Sequence, residues 1–379
     1  MLIDKLNGLN KEQWAYYRNS HIVFENYQEA FADPHRFIED YFHIGGKQSL
    51  LIDSIEDLIG DNKDDEEYKK RRRHIVTTFF LGAYIYEQIE FLHFRKQSYL
   101  GENRRYLWAW FLCSLYHDLF YNKEIEGDAT NPPRYAYCKF SSRLLYSKDI
   151  LSKYYKKELN KELCHSARDA CGIPHFDHGI AAAEQLHNSY LEKVIGILCA
   201  ENEWKGYLSG EVIGVYGGHL KISLDDYFAI CKIAKVIACH NVYVYAGEIQ
   251  KGKDKERDKY VNADLSSLID DDPNFHYLPI ARASGEIGNY EKLYFLLALV
   301  DTLEPTKRDI GTAKIDINIE KKESHYEISI SGGNQKYLDS VKKMGTWLNF
   351  VKVSDDGRTL IIDFKNDKNK RNDDRVAEE

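Results

Sequence analysis

Four histidines and two aspartates, set at the ends of apolar helical runs, carry the chemistry that this sequence offers: His74, His117, Asp118, His178, His240 and Asp301. The doublet His117-Asp118 closes the run Trp108-Ala109-Trp110-Phe111-Leu112-Cys113-Ser114-Leu115-Tyr116. On a helix its two side chains project about 100° apart, so both can lean on one ion lying beside it. A charged pair at the border of so apolar a stripe is costly unless something compensates it. Asp301 gives a second local argument. It sits in the last turn of the run Leu293 to Val300, where the helix dipole disfavours an anion. Pro305 pushes Glu304 out of helical geometry and marks the terminus. An anion there calls for a local cation, and a divalent ion would supply one.

Mixed imidazole and carboxylate ligands suit Mn, Fe, Co, Ni or Zn rather than Ca or Mg. Six protein ligands exceed what one open ion needs and suit two, bridged by Asp118 with a water held between ions roughly 3.5–4 Å apart. His175 stands three residues before His178 as its alternative. Each residue also has a plainer reading. A His-Asp pair arises about once by chance among 14 histidines, His240 fits a satisfied core histidine, and His178 a loop histidine at a helix start. The basic run Lys69 to Arg73 follows Asp64-Asp65-Glu66-Glu67 at the spacing of surface helix pairs. Arg71 is the exception, because one turn before His74 it points to the same place. Gly45-Gly46-Lys47 has no glycine at the upstream position and is not a phosphate loop.

The elements that must position these residues are mostly helical. Apolar residues three and four apart predict helices near 11–31, 35–43, 48–59, 66–96, 104–121, 141–158, 176–200, 223–241 and 289–304. Two longer connections, 122–140 and 244–288, separate them. After Pro305 the period changes: Ile315, Ile317 and Ile319 alternate with polar residues, as do Tyr326, Ile328 and Ile330. With a helix near 334–348 and two further short strands, this predicts a small α+β module of ββαββ order. The expected division is an N-terminal helical extension (1–65), a helical domain (66–308), the module (309–365) and a disordered tail (366–379).

Composition narrows the function classes. At 379 residues the chain can bury a large core. A net charge of −8 argues against broad charge-driven binding to duplex nucleic acid. It leaves room for a small anion in a local basic pocket. Seven cysteines without any C-x-x-C pair suggest reduced thiols. No signal-peptide core follows the first methionine and no membrane span is predicted, so a cytoplasmic location is expected.

Read in order, His74, His117-Asp118, His178, His240 and Asp301 resemble the HD superfamily of metal-dependent phosphohydrolases, over about residues 66–308. Arg71-Arg72-Arg73-His74 is similar to the Arg-x-x-His entry of some nucleotide-cleaving members. His178 before a small-residue run is similar to a helix start of the two-metal branch. Val300-Asp301-Thr302-Leu303-Glu304-Pro305-Thr306-Lys307-Arg308 resembles the Ala-Asp-x-Ile-Glu-Pro-x-Arg signature of the diadenosine tetraphosphate hydrolase branch. Three features depart from that pattern. Leu119 to Asn122 precede Lys123 where the branch has a lysine three residues after the doublet. His240 is single where some members have two histidines. Arg308 lies one residue farther from Pro305 than expected.

The resemblance implies an HD-type helical bundle and a hydrolase acting on a phosphate ester or anhydride of a nucleotide. His74, His117 and Asp301 would hold a first ion and His178 and His240 a second. Asp118 would bridge them and orient water, with Arg71, Lys123 or Arg308 neutralising phosphate charge. A nuclease acting on single strands, a cyclic-dinucleotide phosphodiesterase and an inactive nucleotide-sensing module are the alternatives. Association into a homo-oligomer is also open.

Overall fold

Runs that are apolar on every side need a place in the centre of a bundle, and two of them form its heart. The computed structural model describes residues 1–9, 24–42, 66–94, 102–118, 224–240 and 288–365, with the single helical positions 179, 182, 183 and 186. The described helices are α1 (Leu2–Asn7), α2 (Tyr27–Ala32), α3 (Pro34–Phe42), α4 (Glu66–Gln88), α5 (Glu102–Tyr116), α6 (Leu224–Cys239), α7 (Asn289–Leu303) and α8 (Gln335–Trp347). They make the described part of the chain mostly helical. No described helix is long and apolar enough to cross a membrane.

In α4 every residue from His74 to Ile85 whose side chain exceeds glycine is buried, and in α7 the same holds from Lys292 to Val300. These two helices pack on each other and on α5, and α6 packs on α5 and α7. Buried Lys292 is accommodated because its ammonium donates to the His93 carbonyl at 2.8 Å and lies over the Phe91 ring.

The α4–α5 contact depends on one glycine. A Cβ on Gly82 would overlap the indole of Trp110, which is fully buried and donates through Nε1 to the Phe79 carbonyl at 2.8 Å. Gly82→Val is therefore expected to destabilise the protein by about 3 kcal/mol, read as a lower urea midpoint.

The C-terminal module has the predicted ββαββ order. Its strands are β1 (Ile315–Lys321), β2 (Tyr326–Gly332), β3 (Val351–Val353) and β4 (Thr359–Ile362), with α8 between β2 and β3. All pairings are antiparallel, in the order β1-β2-β4-β3, with Ile317 opposite Ile330 and Ile328 opposite Leu360. Ile315, Ile317, Ile328, Ile330, Leu360 and Ile362 turn to the buried face. The module is joined to the helices by the Phe364 ring stacked on Phe91, by Lys321 on Glu90, and by the Tyr337 hydroxyl, which donates to the Leu303 carbonyl.

Several predicted boundaries move. The helix expected over 11–31 does not include Phe24 to Asn26; Asn26 is an N-cap whose side chain accepts from Glu29 N, so α2 starts at Tyr27. The helix expected over 66–96 stops at Gln88 and gives way to a 3₁₀ turn, Glu90–Leu92, where Lys292 and Lys321 supply tertiary partners. The helix expected over 104–121 ends at Tyr116, which leaves the doublet in the turn beyond it. Helix α1 was not anticipated at all. Its Leu2 and Leu6 are fully buried, and Lys5 reaches Asp316 and the Ile317 carbonyl on β1. The expected helices 48–59 and 141–158, the connection 122–140 and the tail 366–379 lie outside the described residues, as do residues 244–287.

Candidate metal centre

Two of the expected ligands sit just past helix C-termini and cap them. His117 Nδ1 lies 2.9 Å from the Ser114 carbonyl and His240 Nδ1 lies 2.7 Å from the Ile237 carbonyl, each three residues back. A carbonyl can only accept, so each Nδ1 carries the proton and each Nε2 is left with its lone pair. The caps answer the unsatisfied last-turn carbonyls of α5 and α6. They also aim both Nε2 atoms inward. His74, inside α4, meets the same end differently: its Nδ1 lies 2.6 Å from Glu304 Oε2.

The inward nitrogens converge. His74 Nε2 and His117 Nε2 are 3.1 Å apart. Asp118 Oδ2 and Asp301 Oδ1 lie 3.3 and 3.4 Å from His74 Nε2, and Asp301 Oδ1 is 3.7 Å from His117 Nε2. Two atoms bound to one divalent ion at about 2.1 Å and roughly at right angles stand about 3 Å apart. Ligand atoms of His74, His117, Asp118 and Asp301 all lie within 4.8 Å of one another. These four residues form a cluster, buried but for partly exposed Asp301, that could hold a metal ion. His240 stands outside it on the other carboxylate oxygen, with Nε2 3.7 Å from Asp118 Oδ1. Asp118 thus turns Oδ2 to His74 and the cations, while Oδ1 lies between His240 and His117, 3.9 Å from His117 Nε2.

Two cations lie against the carboxylates. Arg71 Nη1 is 3.2 Å from Asp118 Oδ2, while Lys307 Nζ is 3.1 Å from the same oxygen and 3.0 Å from Asp301 Oδ1. Burial would push the Asp301 carboxyl up, but above all the Lys307 ammonium, with His74 beside it, holds it well below the usual carboxylate range. Burial would likewise lower His74; Glu304 above all, with Asp118 and Asp301, outweighs it and raises His74 to about 10. The cation that Asp301 requires at its helix end is thus supplied in part by the protein itself.

The structure brings His74, His117, Asp118, Asp301 and Arg71 together and places His240 beside them. Arg308 is directed elsewhere: its guanidinium reaches the Ser340 hydroxyl and the carbonyls of Thr302 and Glu304. Lys307 takes the inward position instead. The 3₁₀ turn Thr306–Arg308 after Pro305 rotates successive side chains by about 120°, so one residue of register decides which cation meets the carboxylates. His178, His175 and Lys123 lie outside the described residues. Sequence reasoning missed Lys307, and used Glu304 as a boundary marker and as part of the family signature without giving it a role at the site. The available signal was an acidic residue directly before Pro305 at the end of a wholly apolar helix. Compared with known proteins, the chain matches no family model, no curated protein and no solved structure.

Proposed function

We propose that the protein is a metal-dependent phosphohydrolase that cleaves a phosphoester or phosphoanhydride bond of a nucleotide. The observation that carries this reading is the pair of imidazole Nε2 atoms 3.1 Å apart, each with its Nδ1 committed to an acceptor outside the cluster. Two lone pairs at that distance repel unless a proton or a metal ion lies between them.

Charge balance favours an anionic substrate. Asp118, Asp301 and Glu304 face Arg71, Lys307 and protonated His74, so the metal-free cluster is near neutrality. Exchange of the His74 proton for a divalent ion leaves the site positive, and a second ion would make it more so. A phosphate group restores the balance. When bound, a divalent transition metal such as Mn, Fe, Co, Ni or Zn makes water a better nucleophile and polarises phosphoryl oxygens. Asp118 orients the attacking water through the oxygen that faces His240. Arg71 and Lys307, each partly exposed, bind phosphoryl oxygens and stabilise the charge that grows there. His240, with His178 as expected from the sequence, would complete a second ion site.

Metal analysis of the purified protein followed by a Mn-supplemented turnover screen tests this. The screen covers mononucleotides, dinucleoside polyphosphates, cyclic dinucleotides and short single strands. Near-stoichiometric metal with release of phosphate or a nucleoside phosphate is expected. Turnover confined to single strands and falling steeply with salt would select a nuclease instead. Tight nucleotide binding without turnover under any of these metals would select a sensing module and overturn the reading.

A further inference from the structure

Glu304 is fully buried although it is charged and stands at the C-cap of α7, where the helix dipole opposes an anion. Four contacts hold it. Oε1 accepts from Thr306 N at 2.7 Å and from the Thr306 hydroxyl, while Oε2 accepts from Lys307 N at 2.9 Å and meets His74 Nδ1 at 2.6 Å. An aspartate, asparagine or serine could satisfy the two backbone N–H groups of the turn alone. The longer side chain places a second oxygen where it also engages the imidazole.

We infer that Glu304 is a positioning residue for the metal centre. Its carboxylate fixes His74 with the proton on Nδ1, aims Nε2 at His117, Asp118 and Asp301, and raises its strength as a ligand. Through the same oxygens it fixes the Thr306–Arg308 turn that presents Lys307 to Asp118 and Asp301. One carboxylate thus organises a metal ligand and the neighbouring cation together. The inference rests on the proposal that His74 is a metal ligand.

Glu304→Gln keeps the shape, but an amide cannot accept on both sides at once. Either the bonds from Thr306, or the bond from Lys307 N together with the His74 contact, must be lost. Mn and Co(II) affinity is expected to fall about ten- to a hundred-fold, with a shifted Co(II) visible spectrum, while Glu304→Asp recovers part of both. Wild-type affinity and an unchanged spectrum in Glu304→Gln would overturn the inference. If wild type binds no metal, or His74→Asn binds it as tightly as wild type, the parent reading fails instead. Should Glu304→Gln not fold, the tautomer of His74 in the zinc-loaded wild type decides, read by ¹⁵N histidine resonances assigned with His74→Asn. Protonated Nδ1 with zinc on Nε2 supports the inference, and zinc on Nδ1 overturns it.

Discussion

On the proposed reading, Asp118→Asn is expected to strip the centre of metal and lower hydrolysis by at least about 10²–10³-fold, the scale that follows loss of one preorganised electrostatic group. The Asp118 side chain is almost wholly buried and links both cations and His74 to His240. Oδ2 meets Arg71, Lys307 and His74, and Oδ1 faces His240. An asparagine fits the same space but replaces one oxygen with a donor. Arg71 and Lys307 are themselves donors, so the amide oxygen must stay with them and the NH₂ must turn to His240. The variant therefore loses charge and loses the oxygen between the two halves of the site. A moderate loss of stability, about 1–3 kcal/mol, accompanies it, since both cations keep weaker partners. Asp309→Asn is the control. Asp309 pairs with Lys70 at the surface, where ion pairs contribute little, and metal content and rate should be unchanged. Full metal content and full rate in Asp118→Asn would remove the residue from the mechanism.

Residues that lie on long apolar periods were readable from the sequence, because burial on all sides leaves a helix few alternatives. Asp301 at the end of α7 and His117-Asp118 at the end of α5 follow from where such runs stop. The alternation of Ile315, Ile317 and Ile319, and of Tyr326, Ile328 and Ile330, likewise specifies two half-buried strands, and the structure pairs them antiparallel. What could not be read depends on backbone direction beyond a helix end. His117 and His240 turn inward only because each caps a carbonyl three residues back, a geometry that residue types alone do not distinguish from a surface cap. Lys307 and Arg308 are adjacent cations of similar reach, and only the turn after Pro305 separates the one on the carboxylates from the one on Ser340. Helix α1 escaped for another reason. With six residues and two buried leucines it forms only because α2, α4 and the edge of β1 receive it.

On the proposed reading, metal affinity is expected to rise with pH, by about tenfold per unit between roughly pH 6.5 and 9, with each ion bound releasing about one proton. The source is His74. In the metal-free fold its imidazole is raised from the ordinary 6.5 to about 10, because the surrounding carboxylates outweigh the penalty of burial. Across that window the folded, metal-free protein holds a proton that the unfolded chain has lost. The stability this contributes is fully present below about pH 6.5 and disappears as pH climbs towards 10. Metal has the opposite dependence. An ion needs the Nε2 lone pair, so it must displace the proton, and a lower proton concentration favours exchange. Asp301 adds nothing to the slope, since Lys307 and His74 hold it ionised far below this range. Low pH thus favours the proton-clamped cluster and high pH the metal-loaded one, at the same four side chains. Calorimetric titration with Mn in buffers of different ionisation enthalpy measures the proton count directly. His74→Asn should bind more weakly at pH 8 and release about one proton fewer. A flat affinity between pH 6.5 and 9 with no proton release in the wild type would take His74 out of the ligand set.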